Sequence, residues 1–253
     1  MVTKQHDNFN IETYRALLES LCNKGYEFKK FDDFNPEKRH ILLRHDIDYS
    51  LEMALNLAEV EKDMNISSTY YILLTGKFYN PFNACSIKII KKLLSMGHNV
   101  GLHLDASIYS NDMNELSKAC TQECTLLEQL TQCPVTDVSF HRPAEQLLGY
   151  KGNLGGRRHS YQPCFFKEIG YVSDSRGEFR FGHPMDHEAI MNNKALQLLL
   201  HPIWWHLKVS HEPLKRLNFF LDMQRDVLAR EMSDNSIVYR DYYTTEQKKI
   251  RTS

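Results

Sequence analysis

Five short apolar runs end in residues that can move protons or hold a metal. Ile41-Leu42-Leu43 runs into Arg44-His45-Asp46-Ile47-Asp48, and Asn99-Val100-Gly101-Leu102 runs into His103-Leu104-Asp105. Val138-Ser139-Phe140 leads to His141-Arg142-Pro143, Tyr171-Val172-Ser173 to Asp174, and Leu198-Leu199-Leu200 to His201-Pro202. Asp46 and Asp48, two residues apart, point to one side if the strand continues that far. Carboxylates so close repel unless a cation or proton lies between them, so a metal can bind one and leave the other as a base. The same pair also suits a helix N-terminus before Ser50. His103 and Asp105 repeat the spacing and can add an imidazole ligand, although a single histidine is more commonly a satisfied core residue. Arg142, fixed by Pro143, can grip a carboxylate in bidentate fashion or bridge to a neighbouring strand. His201 can act as an acid near neutral pH or rest its ring on Trp204.

These residues need elements that bring them to one place. Apolar spacing predicts helices over 11–24, 50–64, 86–96, 113–130 and about 213–232, several stopped by glycine or capped by serine. Strands are predicted at 41–43, 68–74, 99–103, 135–140, 169–173 and 195–200. Such alternation argues for βαβ units around a parallel sheet, expected to form a distorted (β/α) TIM-like barrel, where strand C-terminal ends share one face. No linker or repeat divides the chain, so one domain over 1–253 is expected, with its motif-bearing core at about 41–205. The Gly- and Arg-rich stretch 144–162 is expected to be a long irregular loop.

Composition narrows the function classes. The 253 residues carry 31 basic and 32 acidic side chains, a balance that offers no field for gripping nucleic acid. Hydrophobic residues at 42% and charged residues at 25% fit an ordinary globular protein, which argues against disorder and coiled coil. No apolar run reaches the ~20 residues of a membrane span, and from the polar start no signal peptide is expected. The six cysteines form no framework; Cys120 and Cys124 are expected to face the core together, and a reducing cytosol is the expected compartment. Twelve histidines exceed what packing requires, and the question is whether they are gathered.

The ordered set Leu43-Arg44-His45-Asp46-Ile47-Asp48, Gly97-His98-Asn99-Val100-Gly101-Leu102-His103, Ser139-Phe140-His141-Arg142-Pro143, Asp174 and Leu200-His201-Pro202 resembles the polysaccharide deacetylase (NodB-like, carbohydrate esterase) superfamily. The likeness is greatest to its cytosolic branch of surface-polysaccharide and O-antigen biosynthesis proteins, and it extends over about 41–202. The resemblance implies a distorted barrel that removes acetyl groups from N-acetylated sugars with a divalent metal, often zinc. It further implies Asp46 as general base, Asp48 and His103 as metal ligands, and Arg142 as the arginine orienting the base. His201 corresponds to the acid, and Asp174 to the carboxylate that tunes it.

Two departures stand out. The family's first motif usually has adjacent aspartates, here separated by Ile47, so base and ligand are exchangeable and His45-Asp46 is an alternative counterpart. The family's second histidine ligand falls four residues after the first, where this chain has Ser107. Asp105 or His141 is the favoured replacement, with His45 and His98 as further candidates; carboxylate and imidazole both suit zinc. His98 starts its strand, at the end away from the site. The leading expectation is a deacetylase for an N-acetylated sugar, nucleotide-linked or lipid-linked, with Arg157, Arg158, Arg176 and Arg180 either gripping a phosphate or forming a solvated charge run. The alternatives are an impaired barrel that binds sugar without hydrolysing it, or another metal-dependent amide hydrolase. Trp204, Trp205 and Tyr79 suit stacking on a pyranose ring, or the core.

Overall fold

Seven parallel strands lie side by side in the order β6-β5-β4-β3-β2-β8-β7, and an eighth, β1, pairs beside β2. They are β1 (Glu27–Phe28), β2 (His40–Ile47), β3 (Thr69–Ile72), β4 (Asn99–Asp105), β5 (Asp137–His141), β6 (Arg158–His159), β7 (Gly170–Ser173) and β8 (Leu196–Leu200). The structure is a computed structural model in which residues 9–206 and 212–243 are described. These fall into two compact units, one within 1–208 and one within 209–253. The second contains the 23-residue helix α8 (Pro213–Asn235). No described helix is long and apolar enough to cross a membrane.

The first unit is an open, distorted (β/α) barrel. Its curl is visible in the contacts of β2, whose Arg44 donates hydrogen bonds to Ser160 and Tyr161 just beyond β6, although three strands separate β2 from β6 in the sheet. No pairing joins β6 to β7 among the described residues, so the barrel does not close. Helices cover the outer face: α1 (Ile11–Asn23), α2 (Leu51–Asp63), α3 (Ala84–Ser95) and α4 (Met113–Thr131), with short α5 (Pro163–Phe166), α6 (Glu188–Met191) and α7 (Pro202–His206). Each long helix of this unit is capped by a polar residue, Asn10, Ser50, Asn83 or Asp112, whose side chain accepts a first-turn N–H.

Period-two alternation sorts the side chains. Ile47, Tyr70, Ile72, Leu102, Leu104, Val138 and Phe140 pack in the main core with helix residues such as Leu51, Leu93, Leu116 and Leu127. Cys120 and Cys124 lie buried in that same cluster, and all six cysteines are free. Leu42 and Tyr71 belong to a separate small cluster with Phe31. Gly101 is required by close approach: a Cβ there would stand 2.5 Å from the Tyr71 ring and 2.7 Å from the Asp137 carbonyl.

The pattern ends β2 at Leu43, yet the strand runs on to Ile47 because β8 pairs with it as far as His45 and β3 from Arg44 onward. Its polar residues are buried and paired with other side chains rather than solvated, although Arg44 Nε and His45 Nδ1 have no partner. On the helix side, His45 Nε2 lies 2.7 Å from Glu61 Oε1, and both residues are fully buried. Tyr14, Ser68 and Tyr70 donate hydroxyl hydrogen bonds to the same carboxylate. Burial works against the Glu61 charge, but the facing His45 imidazole holds its carboxyl below the usual range. Glu61 thus ties α1, α2, β2 and β3 together behind the strand that carries the two aspartates. Removing one partner of a buried pair costs about 3–5 kcal/mol. Glu61→Ala should therefore lower unfolding stability by about that much in urea titration, and a loss under about 1 kcal/mol would show the hub to be dispensable.

The loop at 144–162 is less irregular than expected, holding a 3₁₀ turn at Glu145–Leu147 and strand β6. Two-residue strands such as β1 and β6 are too short to show any period.

Candidate metal and acid–base site

Asp48, His103 and His141 meet at the C-terminal ends of β2, β4 and β5. The strands deliver them in register, since Asp105 pairs with His141 and His103 with Ser139. His103 Nε2 lies 3.0 Å and His141 Nδ1 3.2 Å from Asp48 Oδ1. One ligand atom from each residue falls within 4.8 Å of the others, and among the described residues this is the group of His, Cys, Asp or Glu so arranged. Burial opposes a charge on Asp48, but hydrogen bonds from His103 and His141 hold its carboxyl well below the usual range. A carboxylate with two imidazoles is a donor set that suits zinc and similar divalent ions, and three protein ligands leave a coordination position open. The residues present therefore fit a catalytic metal.

Asp46 lies deeper, 2% exposed, inside β2 itself. Ser139 Oγ donates to its two oxygens at 3.3 and 3.1 Å, and Arg44 Nη2 is 3.4 Å from Oδ2. His103 Nε2 is 3.9 Å from the same oxygen, which places Asp46 beside the three-residue group without joining it. Arg44 is fully buried, with its guanidinium carbon 4.7 Å from the centroid of the Tyr161 ring.

Opposite them, at the end of β8, His201 Nε2 is 3.9 Å from Asp48 Oδ2, while its Nδ1 is 2.6 Å from Asp174 Oδ1. Asp174 follows β7 and is fully buried, accepting also from the His201 backbone N–H and, at 2.7 Å, from Trp205 Nε1. Burial disfavours charge on His201, but the Asp174 carboxylate overrides it and pushes the imidazole up to about 9. The imidazolium is thereby kept charged at neutral pH, with Nε2–H turned toward the cluster.

Other sequence-selected residues lie elsewhere. Asp105 is outside the three-residue group: its Oδ1 accepts from the Ser107 hydroxyl and N–H, and its Oδ2 is 3.8 Å from Arg142. His45 is held by Glu61, and His98 reaches Ser68 and the Ala58 carbonyl. Arg142, in the left-handed region at φ 51°, has a side chain 67% exposed, and its Nε donates to His141 Nε2. Trp204 is buried, and the Tyr79 hydroxyl donates to the Ile47 carbonyl while accepting from Leu73 N–H. Arg157 pairs with Glu128 and Arg158 with Asp32 and Asp137, which occupies both. Arg180 lies over the Phe181 ring.

No motif marks Arg44, Ser139, Ser160 and Tyr161 as partners around Asp46, or Trp205 as a donor to Asp174. The only advance signal for Arg44 and Ser139 was parity, since both fall an even number of residues from a chemistry-bearing neighbour on the same strand.

No family model and no curated relative matches the chain. Among solved structures it is similar to the Streptococcus pyogenes deacetylase PplD in complex with acetate, at 12% identity and a TM-score of 0.44, over 85% of this chain and 92% of that one. It is similar to a family 4 acetyl xylan esterase from Clostridium thermocellum in complex with a cobalt ion, at 12% identity and a TM-score of 0.41, over 74% and 83%. IcaB from Ammonifex degensii matches at 16% identity and a TM-score of 0.40, over 51% of this chain and 65% of that one, just under two thirds of its length.

Proposed function

We propose that this protein is a metal-dependent deacetylase of the polysaccharide deacetylase superfamily, removing an acetyl group from an N-acetylated sugar used in surface-polysaccharide synthesis. The observation that carries the reading is the meeting of three units at the strand ends: the Asp48–His103–His141 donor set, the buried Asp46 beside it, and the Asp174–His201 pair facing it. The ordered motifs that resemble the superfamily supply the same residues.

Asp48, His103 and His141 would hold the ion, zinc being the one their donor types suit best. Bound there, a divalent metal supplies Lewis acidity, polarising the acyl carbonyl and acidifying water. Asp46, outside the donor set and held by Ser139 and Arg44, takes the proton from the attacking water as the general base. His201 gives the Nε2 proton to the leaving sugar nitrogen, and Asp174 at Nδ1 fixes the ring and balances its charge. Trp205 holds Asp174 in turn. For the sugar ring, the exposed Phe78, packed at 5.1 Å and 33° against Tyr49 next to Asp48, offers an aromatic face in place of Trp204 and Tyr79.

The test is acetate release from a panel of N-acetylated monosaccharides, nucleotide sugars and oligosaccharides by protein reconstituted with zinc or cobalt. Metal-dependent release from any member supports the reading. Metal binding with tight sugar binding and no release would leave a sugar-binding barrel, and failure to bind metal on reconstitution would sink both hydrolase readings.

A further inference from the structure

Arg44 and Asp46 lie two residues apart on β2, so their side chains project from the same face of the strand. Arg44 is completely buried, and its two terminal nitrogens, though not Nε, find hydrogen-bond partners there. Its Nη1 donates to Ser160 Oγ, and its Nη2 to the Tyr161 hydroxyl at 2.9 Å and toward Asp46 Oδ2 at 3.4 Å. The ring of Tyr161 lies under the guanidinium plane, and that of Tyr71 lies 5.9 Å away. An arginine so wedged cannot change rotamer without breaking contacts to residues just after β6. On the other side of Asp46, Ser139 from β5 donates to both carboxylate oxygens. Arg142, by contrast, is exposed and makes its contacts with His141 and Asp105.

We propose that Arg44, locked by Ser160 and Tyr161, is the positioning residue for Asp46, the role that the motif resemblance assigns to Arg142. The inference rests on the deacetylase reading for its kinetic consequence, but its structural content stands apart. Arg44 acts through Asp46 alone and touches no reacting atom. The segment after β6 thereby contributes to the reaction from a distance, by fixing the arginine that fixes the base. The wedged guanidinium meets Oδ2 of Asp46 through Nη2 at a fixed point, which a lysine at 44, a point charge on a flexible stem, does not reproduce.

The experiment compares Arg44→Met, Arg44→Lys and Arg142→Met in metal-loaded protein. The expected result is a kcat loss of about 10- to 100-fold in Arg44→Met, the scale on which outer-shell partners act, with KM and metal stoichiometry unchanged. Arg44→Lys should recover only part of it, and Arg142→Met should lose less kcat than Arg44→Met. A folded Arg44→Met protein with wild-type kcat, or a larger kcat loss from Arg142→Met, overturns the proposal. Tyr161→Phe keeps the ring and removes only the hydroxyl, so it serves if Arg44→Met does not fold; wild-type kcat there also counts against the lock. Crystal structures separate this proposal from the reading it rests on. A wild type that releases no acetate refutes the deacetylase reading, whereas an Asp46 carboxylate unmoved in the Arg44→Met or Tyr161→Phe crystal refutes the positioning role whatever the activity.

Discussion

Asp46→Asn protein should bind metal as the wild type does and deacetylate about 10²- to 10⁴-fold more slowly, the span that a positioned general base contributes. Two features separate Asp46 from the metal-binding role proposed for its neighbour. It lies outside the group in which Asp48, His103 and His141 bring their ligand atoms together. Its two oxygens already accept hydrogen bonds from Ser139, and one of them faces the Arg44 guanidinium. A metal in the Asp48 group therefore leaves Asp46 available to accept a proton beside it. Asparagine preserves the volume and the acceptor toward Ser139 but cannot take that proton at neutral pH. It also leaves the buried Arg44 without its counter-charge, so some stability is lost, and rates should be measured at a temperature where circular dichroism shows the variant folded. The decisive comparison is single-turnover acetate release against metal content. If the variant instead loses the metal, and turnover with it, the base and ligand roles are exchanged between Asp46 and Asp48.

The distribution of histidines shows why some of this site was legible in the sequence and some was not. His103 and His201 end apolar runs, and period-two parity places their rings where the strand ends converge. The Asp174–His201 pairing followed the motif order and appears as a 2.6 Å contact. His45 and His98 have the same composition and similar neighbours, yet both serve the buried Glu61 hub. Their opposite strand parity hinted at this, but Glu61 itself lies within a helix pattern with nothing to mark it as buried. Arg142 illustrates the other limit. Its position next to Pro143 suggested a fixed grip, whereas the left-handed backbone at 142 turns the side chain outward. Arg44, in the run that leads to the two aspartates, is instead fully buried. Contacts across the barrel, such as Arg44 with Ser160, join residues 116 apart in sequence, and no local pattern carries that information.

The third ligand is the point on which metal analysis has the most to decide. With Ser107 where the superfamily places a histidine, either Asp105 or His141 can complete the set, and geometry separates them. His141 Nδ1 lies 3.2 Å from Asp48 Oδ1, whereas Asp105 spends one oxygen on the Ser107 hydroxyl and N–H and turns the other toward Arg142. Protein purified without an affinity tag should hold about one divalent ion per chain, and His103→Ala and His141→Ala should each reduce affinity by well over the about 10- to 100-fold typical of losing an outer-shell partner. Asp105→Ala should keep the ion. Ligation through Nδ1 requires the ring proton of His141 to sit on Nε2, the atom that now accepts from Arg142 Nε, so loading the site must break that contact. Arg142→Met should accordingly bind metal at least as tightly as the wild type, because the competing donor is gone. Calorimetric titration of the four variants reads all of this directly: loss of the ion in Asp105→Ala with retention in His141→Ala would replace one ligand by the other.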